Sequence, residues 1–237
     1  MVERFFKGGG GSSSEKEREG ITLLTGPPSC GKTSLLFQYA LNLLSSNSNS
    51  DASYVVFICV RSRLQSHPPF LSQGIHPCSH LFRRIHIKYV DESDAVSLKK
   101  YFAAFHLLSP FPLAVIVDDF SLFFPLTHTY NNARGRDLAM LRVLALSHSA
   151  LLHANKTSPC HLLFSDTHHH GDSPNLFISN TCLSSIFTVQ AHASASFLLR
   201  NTLHIKGNDK PYNTTATYSI ALQYLLLEQL SQFTCSV

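Results

Sequence analysis

Gly26-Pro27-Pro28-Ser29-Cys30-Gly31-Lys32-Thr33 matches G-x-x-x-x-G-K-[ST] at every fixed position. Each part of that pattern has a physical task on a nucleoside polyphosphate. The glycines let the backbone curl so that successive N–H groups surround phosphate oxygens. A helix beginning near Lys32 adds its positive N-terminal end. The Lys32 ammonium reaches the β- and γ-phosphates, the Thr33 hydroxyl ligates Mg²⁺, and Ser34 closes the binding set. A second group lies far along the chain, where the apolar run Leu113 to Val117 ends in Asp118-Asp119. A carboxylate at the end of a buried strand can hold the Mg²⁺ of a nucleotide, which is the role read for Asp118. Asp119 either polarises an attacking water or is simply solvated; with Lys32 it forms the candidate catalytic pair. ATP and Mg²⁺ are the cofactors this set implies.

The elements that must position these groups are legible on both sides of the motif. Ile21 to Thr25 is a short β-rich run, and from Thr33 to Leu44 the apolar residues at 35, 36, 39, 40, 43 and 44 mark one helical face. Strand, loop and helix in that order set the motif apart from a chance turn. Tyr54 to Val60 lacks alternation and reads as a strand covered on both faces. Arg61 to His80, with Pro68, Pro69, Gly74 and Pro77, reads as irregular. Arg84 to Val90 suits a third strand, Asp94 to Leu107 a helix, and Leu113 to Val117 a fourth strand. Arg136 to His153 is a long helix with Leu138, Leu141, Ala145 and Leu152 expected to face inward. His161 to Ser165, Ile186 to Ala191 and Ser196 to Ile205 are expected strands. Thr217 to Leu226 is a strand or a helix.

Composition narrows the classes. The 237 residues carry 44% hydrophobic side chains, which excludes disorder throughout, and favour one domain. Residues 1–20, with the run Gly8 to Gly20, are expected to be a flexible leader, and residues 21–237 a single domain. A net charge of +4 tolerates an anionic partner but falls far short of a basic DNA-wrapping arm. No apolar run reaches the ~18 residues of a membrane span, and no secretory h-region is present. The six cysteines form no C-x-x-C pair, and reduced thiols are expected. His168-His169-His170 lacks the further ligand spacing of a zinc site and reads as an exposed loop.

Among P-loop classes, a GTPase needs N-K-x-D, yet Asn155-Lys156 continues as Thr157-Ser158. A small-molecule phosphotransferase needs an arginine-rich lid, which the middle of the chain lacks. The element order fits an α/β, RecA-like P-loop fold: a mainly parallel sheet, helices on both faces, and an antiparallel C-terminal edge. In that fold the strand from His161 lies between the P-loop and Asp118 strands.

With Phe57-Ile58-Cys59-Val60-Arg61-Ser62-Arg63-Leu64-Gln65 and Arg84-Ile85-His86-Ile87-Lys88-Tyr89 added to these motifs, the chain resembles the RecA-type recombinase paralogues. It is most similar to plant-type SWIM-associated ATPase subunits of Shu complexes, over roughly Gly20 to Leu226. The resemblance implies ATP binding, single-stranded DNA binding, a SWIM-type zinc-finger partner, support of a recombinase in homologous recombination, and a nuclear location. It places a γ-phosphate sensor at Asp166. It makes the histidine loop a DNA-facing one, and Thr127 to Arg136 another. There Tyr130, Arg134 and Arg136 either engage DNA or belong to a solvated linker.

The chain also departs from that pattern. Active recombinases carry a catalytic glutamate just after the second strand, and here Val60-Arg61-Ser62-Arg63 holds no carboxylate. A cation cannot serve as the base. Nucleotide binding is therefore expected ahead of hydrolysis, with weak or DNA-dependent ATPase activity and a non-hydrolysing scaffold as the rival outcomes. With no room before Ile21 for a polymerisation segment, self-assembled filaments are not expected.

Overall fold

Val55–Cys59 and Ala114–Val117 are apolar at every position, so both faces of each strand require cover. The computed structural model describes residues 2–6, 20–47, 52–76, 79–125, 132–167, 183–193, 196–201 and 212–234. In it both strands lie inside a nine-stranded sheet of order β3-β2-β4-β5-β1-β6-β7-β8-β9. The strands are β1 (Ile21–Gly26), β2 (Val55–Cys59), β3 (Ile85–Tyr89), β4 (Ala114–Val117), β5 (His161–Thr167), β6 (Leu183–Ala193), β7 (Ser196–Asn201), β8 (Tyr212–Ala221) and β9 (Tyr224–Thr234). From β3 to β6 every pairing is parallel; from β6 to β9 every pairing is antiparallel. The fold is α/β, and β5 does lie between β1 and β4.

Among the described residues four α-helices, α1 (Lys32–Ser46), α2 (Arg61–Ser66), α3 (Ala95–Ala103) and α4 (Ala133–Asn155), accompany the sheet. Side-chain alternation divides the interior in two. Val55, Phe57, Cys59 and Ile116 pack with Leu36 and Ala40 of α1. Val56, Ile58, Val115 and Val117 pack with Leu98 of α3 and Val143 of α4. A parallel strand feeding a crossover helix supplies this two-sided cover. No helix among the described residues is long and apolar enough to cross a membrane.

Four expectations are corrected. Residues 2–6 are not leader: Val2, Phe5 and Phe6 are buried, and the Phe5 ring lies 5.5 Å from Tyr39 and 5.3 Å from Phe187. Two adjacent aromatics bury enough surface to anchor a short turn whatever follows it; residues 7–19 lie outside the described set. The segment after β2 is not wholly irregular, because Arg61–Ser66 forms α2. Helix α4 turns a different face inward: Ala139, Met140, Val143, Leu144, Ser147, Leu151 and Ala154 are buried, while Leu138 and Leu152 are exposed. Both stripes keep helical spacing, so periodicity alone could not choose between them. Thr217 to Leu226 is neither one strand nor a helix but the turn of the β8–β9 hairpin, with Leu222 at φ 51° and Gln223 at φ 64°. Hairpin turns of that hand are normally announced by Gly or Asn, and neither is present.

The buried N-terminal turn gives a test. Phe5→Ala leaves a cavity between Tyr39 and Phe187 and is expected to cost about 3 kcal/mol. A lower urea midpoint at unchanged slope is the expected signature. A midpoint equal to wild type would show that the segment contributes nothing to folding.

Candidate functional site

The carboxyl ends of four parallel strands meet at one level of the sheet. Gly26 of β1 pairs with Thr167 of β5, Val117 of β4 with Phe164, and Ile58 of β2 with Val117. Open parallel sheets bind ligands along this edge. The loop after β1 makes its curl with Ser29 at φ 58° and Gly31 at φ 83°, and Leu35 N–H donates to the Gly31 carbonyl at 2.9 Å to start α1. Gly31 suits this turn chiefly by its backbone, the nearest obstacle to a Cβ being the movable tip of a side chain. Its φ is left-handed, and a Cβ there would fall 2.5 Å from Ile220 Cδ1. Strand β8 braces the loop again where the Tyr218 hydroxyl donates to the Cys30 carbonyl at 2.6 Å. The Lys32 ammonium folds over its own loop, donating to Pro27 O at 2.9 Å and Gly26 O at 3.3 Å.

A hydroxyl–carboxylate cluster faces that ammonium. Thr33 Oγ1 donates to Asp118 Oδ2 at 2.8 Å, and Ser165 Oγ donates to Asp118 Oδ1 at 2.5 Å. Ser165 Oγ also accepts from the Asp119 amide at 2.8 Å, and Thr167 Oγ1 donates to Asp119 Oδ1 at 2.7 Å. Asp119 itself sits at φ 48°, a strained value for a non-glycine residue. Burial, with the Asp119 charge second, pushes the Asp118 carboxyl up to about 6, against the pull of the Ser165 and Thr33 hydroxyls and of Lys32.

These groups open into a cavity of about 430 Å³ whose polar lining includes Lys32, Thr33, Asp118, Asp119, Thr167 and Arg63. Its apolar wall comprises Leu64, Pro68, Phe70 and Ile220. Pro28, Ser29, Gly31 and Ser34 also line it, whereas Cys30 is buried behind the loop. Ser34 serves a second purpose, since its Oγ accepts from the Phe70 amide at 2.9 Å and fixes the wall. The three described free thiols, Cys30, Cys59 and Cys160, are all buried.

The predicted residues separate clearly. Lys32, Thr33, Asp118 and Asp119 come together as expected from their motifs. Asp166 does not line the cavity: its Oδ1 accepts from the Thr167 amide at 3.0 Å and the Ser121 amide at 3.3 Å, both residues that do line it. Strand alternation puts Ser165 and Thr167 on the cavity side instead, a period-two signal already present in Ser165-Asp166-Thr167. Arg134 is exposed in the first turn of α4 and Arg136 is partly buried; neither lines the cavity. Tyr130 and His168-His169-His170 lie outside the described residues. Sequence reading missed Ser165, Thr167 and the cavity position of Arg63.

The donors fit a nucleotide-bound Mg²⁺. Hard oxygens from Thr33 and Asp118 lie side by side, next to a loop curled at Gly31 with φ 83°. A divalent ion would be held by Thr33 and Asp118 and would supply positive charge to an anionic ligand.

The raised Asp118 carboxyl fixes the sign of a pH effect. Its folded value, about 6, exceeds the ordinary 3.8. The folded state therefore holds the proton more tightly, and stability falls as pH rises through about 4 to 6. Asp118→Asn is expected to stabilise the apoprotein by roughly 1–3 kcal/mol at pH 7, with the gain shrinking toward pH 4. Denaturant titrations of both proteins across that range check it. A constant difference would rule out the carboxylate as the source.

No protein-family model and no curated protein matches the chain, and its site is read from its own residues.

Proposed function

We propose that the protein is a RecA-like P-loop protein that binds ATP·Mg²⁺ and works as a recombinase paralogue in homologous-recombination repair. The observation that carries the nucleotide part is the Thr33–Asp118 contact at 2.8 Å beside the Lys32 ammonium. It joins the two halves of a phosphate-and-metal site from residues 85 positions apart. The β5 strand inserted between β1 and β4 supports the RecA-like assignment. On this reading the polyphosphate lies on the loop and the apolar wall of Leu64, Pro68, Phe70 and Ile220 takes a less polar part of the ligand.

Turnover is the weaker half of the reading. The segment Val60 to Arg63, where the resemblance calls for a glutamate, brings only Arg63 to the cavity, and Asp119 is held by the Thr167 hydroxyl. A scaffold that holds ATP without rapid hydrolysis is the second reading this favours. Single-stranded DNA, the SWIM-type zinc-finger partner, the recombinase and the nuclear setting rest on the resemblance. One local feature accords with DNA: Arg134 and Arg136 occupy the first turn of α4, where cations oppose the helix dipole and a phosphate would offset them.

Two measurements test the proposal. ATP·Mg²⁺ at a hundred times its dissociation constant should stabilise wild type by about 2.7 kcal/mol, and Lys32→Ala should lose most of that gain. Equal thermal shifts for both proteins would sink the nucleotide reading. Replacing Arg134 and Arg136 together should flatten the salt dependence of single-strand binding, by about 0.7 in log–log slope for each phosphate no longer neutralised. An unchanged slope would remove this turn from any DNA surface.

A further inference from the structure

We infer that Arg63 is the residue through which this site distinguishes a nucleoside triphosphate from a diphosphate. The inference rests on the nucleotide reading above and adds to it a γ-phosphate ligand supplied by α2.

Helix α2 presents Arg63, Leu64 and His67 to the cavity that Lys32 and Thr33 line from the other element. Its two arginines part company. The Arg61 guanidinium stacks over the Tyr89 ring at 4.1 Å, outside the cavity. Arg63 lines the cavity and is held there only loosely, with Nε 3.4 Å from Glu92 Oε1 and both side chains more than half exposed. An exposed pair of that length contributes little, so a phosphate competes with Glu92 easily.

Charge makes the same point. Among the described residues the cavity is lined by two Lys/Arg side chains, Lys32 and Arg63, and by two carboxylates, Asp118 and Asp119. Without Arg63 its fixed charge is negative, which opposes a polyphosphate. The loop amides serve phosphates common to di- and triphosphate, and Lys32 spans the β- and γ-phosphates, so a second cation is needed for the remaining γ oxygens. A planar fork with several donors suits the terminal phosphoryl group, which has three free oxygens. Arg63 thus acts as a positioning cation on the bound ligand, and it moves no proton.

Calorimetric titration of the full chain with Mg²⁺ and either ADP or a non-hydrolysable ATP analogue tests this without requiring turnover. Arg63→Ala is expected to weaken the triphosphate by about tenfold to a hundredfold and ADP by less than about threefold. Arg63→Lys should fall between wild type and Arg63→Ala. Glu92→Gln should tighten the triphosphate by about two- to threefold by freeing the guanidinium. Arg63 is 57% exposed at its side chain, so thermal melting of the unliganded variants should match wild type. If wild type binds both nucleotides, Lys32→Ala loses both, and Arg63→Ala changes neither or both alike, the role of Arg63 is overturned while the nucleotide reading stands. If wild type binds neither nucleotide, both fall together.

Discussion

Asp118 is a carboxylate taken out of water, and the arrangement of the site follows from what that requires. A buried charge is tolerable only when its lone pairs are occupied. Here Thr33 and Ser165 occupy them, one from the start of α1 and one from the end of β5. Two strand ends and one helix start are therefore tied at a single carboxyl group. The tie leaves the ammonium of Lys32 on its own loop carbonyls rather than on Asp118. A site built this way is ordered before any ligand arrives, which lowers the ordering cost of binding. It also keeps the Asp118 charge short of a cation, a deficit that a divalent ion can meet.

The loop is shaped from the far end of the chain as well. Tyr218 and Ile220 come from β8, almost two hundred residues after the motif, and both press on the Cys30–Gly31 peptide region. The same hairpin touches the wall of the cavity, where the Leu225 amide donates to Leu71 O at 3.1 Å. The antiparallel edge therefore is a brace for the phosphate loop rather than a decoration of the sheet. Ser34 and Gln38 complete it from α1, accepting from the Phe70 and Ser72 amides at 2.9 and 3.0 Å. Loop, wall and hairpin form one connected unit.

What could be read from the sequence is what local pattern determines. The buried runs Val55–Cys59 and Ala114–Val117 have no polar face, and Gly26 to Thr33 has one backbone solution between a strand and a helix. Crossovers implied a mainly parallel sheet, and the place of β5 between β1 and β4 came from the RecA-like element order. The failures share a different character. Residues 2–6, the phase of α4 and the β8–β9 turn were decided by partners distant in sequence, such as Phe187 for Phe5. The sensor role for Asp166 came from the resemblance, whereas the alternation of β5 brings Thr167 rather than Asp166 to the cavity lining. Arg63 was legible as an absence, a missing glutamate, and became informative only when α2 brought it beside Lys32.

The charges in the cavity also bear on whether a bound triphosphate is consumed or kept. A cation and a ring of amides stabilise the γ-phosphate in the ground state as well as on the way to transfer. Binding both alike tightens the complex without lowering the barrier between them. Acceleration needs something further, a group that orients water and takes its proton. Asp119 is the nearest candidate, yet its Oδ1 already accepts from Thr167 and its backbone is fixed at φ 48° by the turn that follows β4. That contact fixes how the carboxyl group is turned and leaves Oδ2 as the oxygen through which it would act on water, so the same contact that orders the site restrains the orientation of its base. On the proposed reading, strong phosphate contacts with a restrained base favour long occupancy over rapid turnover. Occupancy can then govern assembly only to the extent that ATP binds the assembling conformation more tightly than the other. On the same proposed reading the functional weight lies with Lys32 and Arg63, ahead of any residue that would hydrolyse the ligand.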